Sequence, residues 1–408
     1  MTKAAGARAP LKLPRSPKGL INTPAALAEV CNHLGAAKVF GFDTEFIGES
    51  SYRPVLCLVQ VSTDERVELI DPLALADLGP LWDLLADPAV EKICHAGDQD
   101  LALAWQLGRQ QPQNVFDCQI GAGFVGIGYQ EPYRRLVEIV AGIKLDKGDT
   151  YSEWGRRPLS RSQFTYAIDD VLYLPEIHRF LQRRMDSLGH MAWMRDACQE
   201  RCVKAATDLD PKMVFAKFKG LSRLKSRALS VLWELTILRE EMASERDVPA
   251  RVMLKDEALM DLAVEAPQTE AGLAAIKSVP RKVIVNYGDQ IIRAIERGKA
   301  LPPDQRPFSP PPLADSLETK RLAEIMYASS QVICLGQSVS PSLVANRADI
   351  EGLARLVSQG EDVSGHPLMR GWARECLGAS LVEFARGKLH VTLHVTPERM
   401  HTKFEPRG

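Results

Sequence analysis

The run Lys38-Val-Phe-Gly-Phe-Asp-Thr-Glu-Phe-Ile47 is apolar as far as Phe42, then sets down two acids, Asp43 and Glu45, with one residue between them. Its composition predicts a strand, and strand alternation turns both carboxylates to one face. Like charges that close cost free energy unless they are protonated, hydrogen-bonded or bridged by a cation. Outward from this run, Val55–Val61 and Val67–Ile70 are further short apolar stretches, the second closed by an Asp71-Pro72 turn. Such runs bounded by turn residues read as a sheet buried on both faces. Helices are expected over Leu78–Leu85, Asp100–Leu107, Arg134–Ala141 and Arg161–Met185. Strands followed by long helices imply an α/β domain, a mixed sheet flanked by helices.

The chain of 408 residues is 45 % hydrophobic and 25 % charged, which excludes wholesale disorder. A formal net charge of −1 makes the molecule no polycation, so any nucleic-acid contact must come from segregated basic patches. The 8 cysteines form no CxxC pair, the usage of a reduced protein, and no apolar run approaches a bilayer span. The cytoplasm is the expected compartment. Residues 1–20 carry Lys3, Arg8, Lys12, Arg15 and Lys18 without an acid and read as a disordered basic lead-in.

Past residue 200 the chain changes character. Arg201, Lys204, Lys212, Lys217, Lys219, Arg223, Lys225 and Arg227 crowd 201–227 against only Asp208 and Asp210. Helical patterns then run to Leu301. The prolines of 302–313 forbid helix and favour a stiff extended linker, and a second helical block spans 314–395 before a polar tail over 396–408. The blocks look like copies: Val252–Ala263 and Leu343–Ala354 share an apolar pattern. Each block also closes on Arg-Gly-Lys, at Arg297-Gly298-Lys299 and Arg386-Gly387-Lys388.

Two more segments can carry chemistry. His95-Ala96-Gly97-Asp98-Gln99-Asp100-Leu101 opens a helix, where acids commonly serve as caps. Tyr166-Ala167-Ile168-Asp169-Asp170 lies within one, with Tyr166 and Asp170 on one face and Asp169 about 100° away. In order and spacing, these segments and the Asp43-Thr44-Glu45 run resemble the three motifs of DEDD-superfamily 3′→5′ exonucleases. The match is to the tyrosine-bearing subclass and, within it, to the ribonuclease D family. Leu69-Ile70-Asp71-Pro72, Leu145-Asp146-Lys147 and Trp154 with Arg157-Pro158-Leu159 extend the likeness over residues 38–182. The paired blocks resemble the helicase-and-RNase-D C-terminal (HRDC) domains that follow the nuclease in that family.

The resemblance implies a ribonuclease-H-like α/β nuclease domain over 21–200 and a basic connecting segment over 201–227. Two small all-α domains then follow, at 228–301 and 314–395. Carried over residue by residue, Asp43 and Glu45 match the first motif, Asp100 the second, Tyr166 and Asp170 the third. Asp98 is the rival to Asp100, and the following Leu101 favours Asp100. The implied cofactor is two Mg²⁺, with Mn²⁺ as the alternative, held by Asp43, Glu45, Asp100 and Asp170. Two such ions about 3.5–4 Å apart hold the attacking and leaving oxygens of an in-line displacement. Tyr166, a phenol of pKa near ~10, orients the attacking water. The implied partner is RNA, chiefly tRNA precursors and other structured RNA 3′ ends, with no small-molecule cofactor and no membrane.

Two rival functions stay open: a DNA 3′→5′ exonuclease, which would share every catalytic residue, and a non-catalytic RNA-binding protein, against which the intact acidic ligands argue. Gly121-Ala122-Gly123-Phe124-Val125-Gly126 satisfies GxGxxG, but Asp117-Cys118-Gln119 stands where a dinucleotide fold needs an apolar strand, so close helix packing is expected instead. His95 is expected to make a structural hydrogen bond. RNA affinity is assigned to the basic stretch 201–227 and the helical blocks. Phe46, Tyr52 and Phe164 read equally as base-stacking platforms or as core.

Overall fold

The computed structural model describes residues 13–48, 51–146, 153–207, 211–307, 316–396 and 400–406. They divide into two compact units. One comprises the chain up to Glu45, Cys57–Ala206 and the chain that follows the Pro-rich stretch; the other comprises Phe46–Leu56 and the residues from Thr207 to that stretch.

The first unit is built on β1 (Leu20–Ile21), β2 (Val39–Ile47), β3 (Val55–Ser62), β4 (Val67–Ile70), β5 (Glu91–Cys94) and β6 (Val115–Asp117). They form one sheet in the order β1-β4-β3-β2-β5-β6. β3 and β4 run antiparallel, whereas β1/β4, β2/β5 and β5/β6 are parallel, so the sheet is mixed. Phe40 and Phe42 of β2 are fully buried, as expected for a strand covered on both faces. The covering helices are α1 (Pro24–Ala37), α2 (Gly79–Ala86), α3 (Asp98–Gly108), α4 (Cys118–Phe124), α5 (Tyr133–Ala141), α6 (Arg161–Leu172), α7 (Leu174–Leu188) and α8 (Met191–Thr207). In α4, Gly121 leaves room for Leu181 and Phe116, and Gly123 for Leu343 and Tyr129; the GxGxxG run is a packing surface.

The helix expected over Arg161–Met185 is two helices, broken at Tyr173. Pro175 has no N–H for the Val171 carbonyl one turn earlier, so that bond is lost. The Ser62 hydroxyl donates to the Val171 carbonyl instead, at 2.7 Å, and the Tyr133 hydroxyl accepts from the Tyr173 amide at 3.2 Å. The break therefore costs little, because both orphaned groups find partners.

The expected disordered lead-in is ordered from residue 13: Arg15 bridges to Arg66, its amide bonding the Glu65 carbonyl and its carbonyl the Val67 amide, before β1 joins β4. Residues 1–12 lie outside the described residues. The expected basic connector is no single element. Arg201 and Lys204 belong to α8, α9 (Pro211–Ala216) and a 3-10 turn at Leu221–Arg223 follow, and Asp208 and Asp210 lie outside the described residues.

The second unit holds α9 and then α10 (Ser226–Arg246), α11 (Ala250–Met253), α12 (Asp256–Glu265), α13 (Glu270–Ala275) and α14 (Arg281–Ala300). Leu232, Leu235, Leu259, Leu262, Ile291 and Ile295 make its own core. Tyr52 joins this unit, its hydroxyl bonding Glu240 and its amide Asp247, and is thereby held in packing. Of the Pro-rich stretch, Pro303–Gln305 is a 3-10 turn rather than extended, and 308–315 lie outside the described residues.

The block after the Pro-rich stretch repeats the same order, with a long helix, a short turn and a further helix: α15 (Leu317–Gly336), α16 (Pro341–Val344) and α17 (Arg347–Gln359). It closes on α18 (Gly371–Ala373), a π-helical turn and α19 (Ala379–Ala385). It is not a separate body. Met326, Ile333, Leu353 and Leu377 share one core with Phe124, Leu181 and Met194, and the Ser340 amide bonds the Gly123 carbonyl at 2.7 Å. Nor does it end in helix and tail: β7 (Leu389–Val395) pairs antiparallel with β8 (Met400–Pro406), and 397–399 lie outside the described residues. The β-branched alternation of His390-Val-Thr-Leu-His-Val395 after Gly387 explains the switch to strand.

Candidate active site

Three elements of the first unit converge. β2 brings Asp43 and Glu45 to its half-buried C-terminal end, and α6 brings Asp170; one carboxylate oxygen from each lies within 4.8 Å of the others. α6 starts on a reciprocal cap: the Ser160 hydroxyl accepts from the Gln163 amide at 3.1 Å, and the Gln163 side chain accepts from the Ser160 amide at 2.9 Å. That start fixes the register in which Tyr166 and Asp170 share a face, and the Tyr166 hydroxyl donates to the Asp170 carboxylate. α3 brings Asp100, which is buried and stands outside the triad, its Oδ1 accepting from the Thr44 hydroxyl.

Asp98 does something else. It is exposed, pairs with Arg201 at 2.9 Å and lies 3.9 Å from Lys204. Arg201 also donates to the Tyr129 hydroxyl at 2.7 Å. Two of the cations assigned from sequence to RNA are thus tied into the nuclease fold. His95 packs its ring against Tyr133 at 5.5 Å and stays out of the carboxylate cluster.

Burial and mutual repulsion drive the acids upward. Asp43 is raised well above the carboxylate range, first by desolvation, then by Asp100, Asp170 and Glu45. Glu45 is raised to about 8 by desolvation and then by Asp170 and Asp100. Asp170 is raised to about 7 by burial, against the lowering effect of the Tyr166 hydroxyl. Asp100 rises to about 6 by burial, against the Thr44 hydroxyl. Tyr166 is pushed up as well, by burial and by these same acids, so it holds its proton at neutral pH. Oxygen donors that strain to lose their charge are a fitting set for hard divalent cations, which remove that cost.

The segment before α6 is anchored to the sheet. Arg157 makes a two-pronged pair with Asp71, at 2.7 and 2.8 Å, and donates to the carbonyls of Cys57, Trp154 and Arg156. The Trp154 ring then lies 6.1 Å from that of Tyr166. Of the Leu145-Asp146-Lys147 stretch, Lys147 lies outside the described residues. Beside Tyr166 and Asp170 opens a cleft of about 920 Å³, lined among others by Tyr133, Arg134, Lys144, Arg161 and Asp169. Asp169, on another face of α6, therefore borders the cleft rather than the triad. Arg134 and Arg161 were not singled out from sequence: each is an ordinary exposed cation on its own helix, and only the fold brings both to the edge of this cleft.

A family model described as 3′-5′ exonuclease matches residues 20–186, and one described as HRDC domain matches 228–295. The chain is 31 % identical over 376 residues to ribonuclease D of Nitrobacter hamburgensis, covering 92 % of this chain and 97 % of that protein. It is 32 % identical over 374 residues to ribonuclease D of Zymomonas mobilis, covering 91 % and 94 %. Among solved structures it is similar to Escherichia coli RNase D, described as an exoribonuclease involved in structured RNA processing. That likeness has a TM-score of 0.80 at 27 % identity and covers 90 % of this chain and 98 % of the other.

Proposed function

Since this chain belongs to the ribonuclease D family of 3′→5′ exoribonucleases, we propose that it trims the 3′ ends of structured RNA, tRNA precursors among them, in the cytoplasm. The observation that supports this most is the convergence of Asp43, Glu45 and Asp170 within 4.8 Å, with the Tyr166 hydroxyl on Asp170. Asp43, Glu45, Asp100 and Asp170 are the residues assigned to two Mg²⁺. When bound, such ions offset the carboxylate charge, acidify the attacking water and stabilise the leaving oxygen.

The chain's own residues do the rest. Tyr166 keeps its proton, so it orients the water rather than deprotonating it. The water oxygen bonds to the terminal phosphorus and gives up its proton to solvent as the bond from phosphorus to the penultimate 3′ oxygen breaks; that oxygen takes a proton from solvent, and a nucleoside 5′-monophosphate is released. Arg134 and Arg161, which make no ion pair among the described residues, are assigned to phosphates of the RNA end in the cleft. The blocks at 228–301 and 314–395, both read as HRDC-like, are assigned to the RNA body; the match of the HRDC model to 228–295 supports the first.

The test is timed digestion of 3′-labelled and 5′-labelled RNA, and of DNA of the same sequence, with and without Mg²⁺. Mononucleotides should leave the 3′ label at once while 5′-labelled RNA shortens stepwise, only with metal and faster than DNA. Metal-independent or internal cleavage overturns the reading.

A further inference from the structure

Asp100 reaches the site from a helix whose start is capped in an unusual way. Gly97 precedes α3 and offers no capping side chain. It can carry none: a Cβ there would come within 2.6 Å of the Cys94 sulfur. The residue before it, Ala96, holds a left-handed φ of 56°, a region an L side chain enters only when its neighbours hold it there. The missing contacts come from another strand. Asp117 closes β6 directly beside Cys94 of β5, and its two carboxylate oxygens accept from the Ala96 and Gly97 amides, each at 3.1 Å. It is 5 % exposed, and it also caps α4 through the Gln119 amide at 2.8 Å. One buried carboxylate therefore sets the turn that aims α3.

The other end of the same arrangement is Thr44. It lies between Asp43 and Glu45, is 7 % exposed, and gives its hydroxyl to Oδ1 of Asp100. The carboxylate also accepts from the Thr44 and Asp100 amides, so Thr44 and the start of α3 together fix how it faces the first motif.

We propose that Thr44 and Asp117 are positioning residues for Asp100: Asp117 sets the turn that carries it, and Thr44 orients its carboxylate against the first motif. Both act through Asp100. The proposal rests on reading Asp100 as a metal ligand. Residues that orient a ligand typically govern metal affinity or activity by about 10–100-fold.

The test uses the full chain and two readouts: Mn²⁺ binding by calorimetry without RNA, and the Mg²⁺ concentration that half-saturates kcat. Thr44→Val keeps the shape and loses the hydroxyl. It should weaken Mn²⁺ binding and raise the Mg²⁺ requirement by at least about 10-fold, with KM for RNA at saturating metal unchanged. Thr44→Ser should restore both. Asp117→Asn, which can accept from only one of the two amides with its single oxygen, should fall between wild type and Thr44→Val. Melting curves without metal show which variants fold, and Thr44→Ser keeps the test open if Asp117→Asn does not. Wild-type Mn²⁺ binding and Mg²⁺ requirement in a folded Thr44→Val overturn the brace. Asp100→Asn, run alongside, separates the two failures: if it binds Mn²⁺ and turns over normally, the ligand assignment itself falls and the proposal with it.

Discussion

The two helical blocks share an apolar pattern and the same opening order of elements, yet they are built into the molecule differently. The first, with α10 and α14 as its long helices, closes a core of its own around Leu232, Leu259 and Ile291. The second has no separate core: Met326, Ile333 and Leu353 are fully buried in the cluster that also holds Phe124 and Leu181 of the nuclease fold. A Phe124–Trp372 edge contact at 5.2 Å and a Trp372 indole bond to Glu200 at 3.2 Å complete that union. A repeated amphipathic pattern thus fixes how helices pair within a block. Which surface the remaining apolar face covers depends on residues outside the repeat.

The comparison breaks most visibly under truncation. A chain stopped after Leu301 lacks the whole second block, and Phe124, Trp193 and their neighbours lose the cover of Trp372 and Leu377. Each such side chain is worth roughly 1.5–3 kcal/mol, against a total stability of about 5–15 kcal/mol, so a handful suffices to unfold the nuclease. The truncated chain should therefore be insoluble or melt without cooperativity, whereas an isolated 211–307 fragment should melt cooperatively. A well-folded, active truncation would mean that the second block is as separable as the first.

Chemistry should belong to one unit only. Asp43→Asn should lower kcat by on the order of 10³-fold or more, because it removes a carboxylate from the cluster where transition-state charge is stabilised. Metal-free melting should hold or rise, since the substitution also removes a like charge. Asp98→Asn, which breaks only the pairing with Arg201 and Lys204, should retain most activity. If Asp98→Asn is the dead variant, the second-motif assignment moves by two residues.

A smaller change should mark the other unit alone. Arg239 of α10 is 5 % exposed, donates to Asp256 at 2.6 Å and lies over the Phe218 ring at 5.3 Å. Arg239→Ala should destabilise the first block by about 1.5–3 kcal/mol. It should raise KM for a folded RNA several-fold while leaving kcat on short oligomers unchanged. An equal loss on both substrates would tie this block to the chemical step.

How much of this was legible beforehand differs between local and long-range features. β2, β3 and β4 follow from short apolar runs, because a buried strand leaves its signature within a few residues. The pairing of Tyr166 with Asp170 follows from helical periodicity once α6 is placed. The break at Tyr173 was not apparent, though Pro175 marks it, because the apolar pattern runs on across it. The order of residues 13–20 was also hidden, since Arg15 is held by backbone bonds to β4 that no side-chain pattern announces. The Arg201–Asp98 pair joins positions far apart in the chain, so a basic run looked uniformly available when part of it was committed. The shared core of the second block belongs to the same class, because only the assembled fold shows which apolar faces meet.

The least of the expected effects separates the units by pH. In the first unit Glu45 is raised to about 8, Asp170 to about 7 and Asp100 to about 6, and Asp43 is raised as well. Unfolded carboxylates titrate near ~4, so between about pH 4 and 8 the folded unit binds more protons than the unfolded chain. Stability then falls as pH rises through that window, the reverse of what salt-bridged acids produce. Calorimetry without metal should show the nuclease transition moving down by a few degrees between pH 5 and 8. The first helical block, which has no such acidic cluster among the described residues, should stay nearly still. Adding Mg²⁺ should raise the nuclease transition, and more at pH 8 than at pH 5, because protons and metal compete for the same oxygens. Glu45→Gln should flatten the metal-free slope by removing one of the raised carboxylates. A slope of the same size in both units would show that it comes from general surface charge rather than from the cluster on β2 and α6.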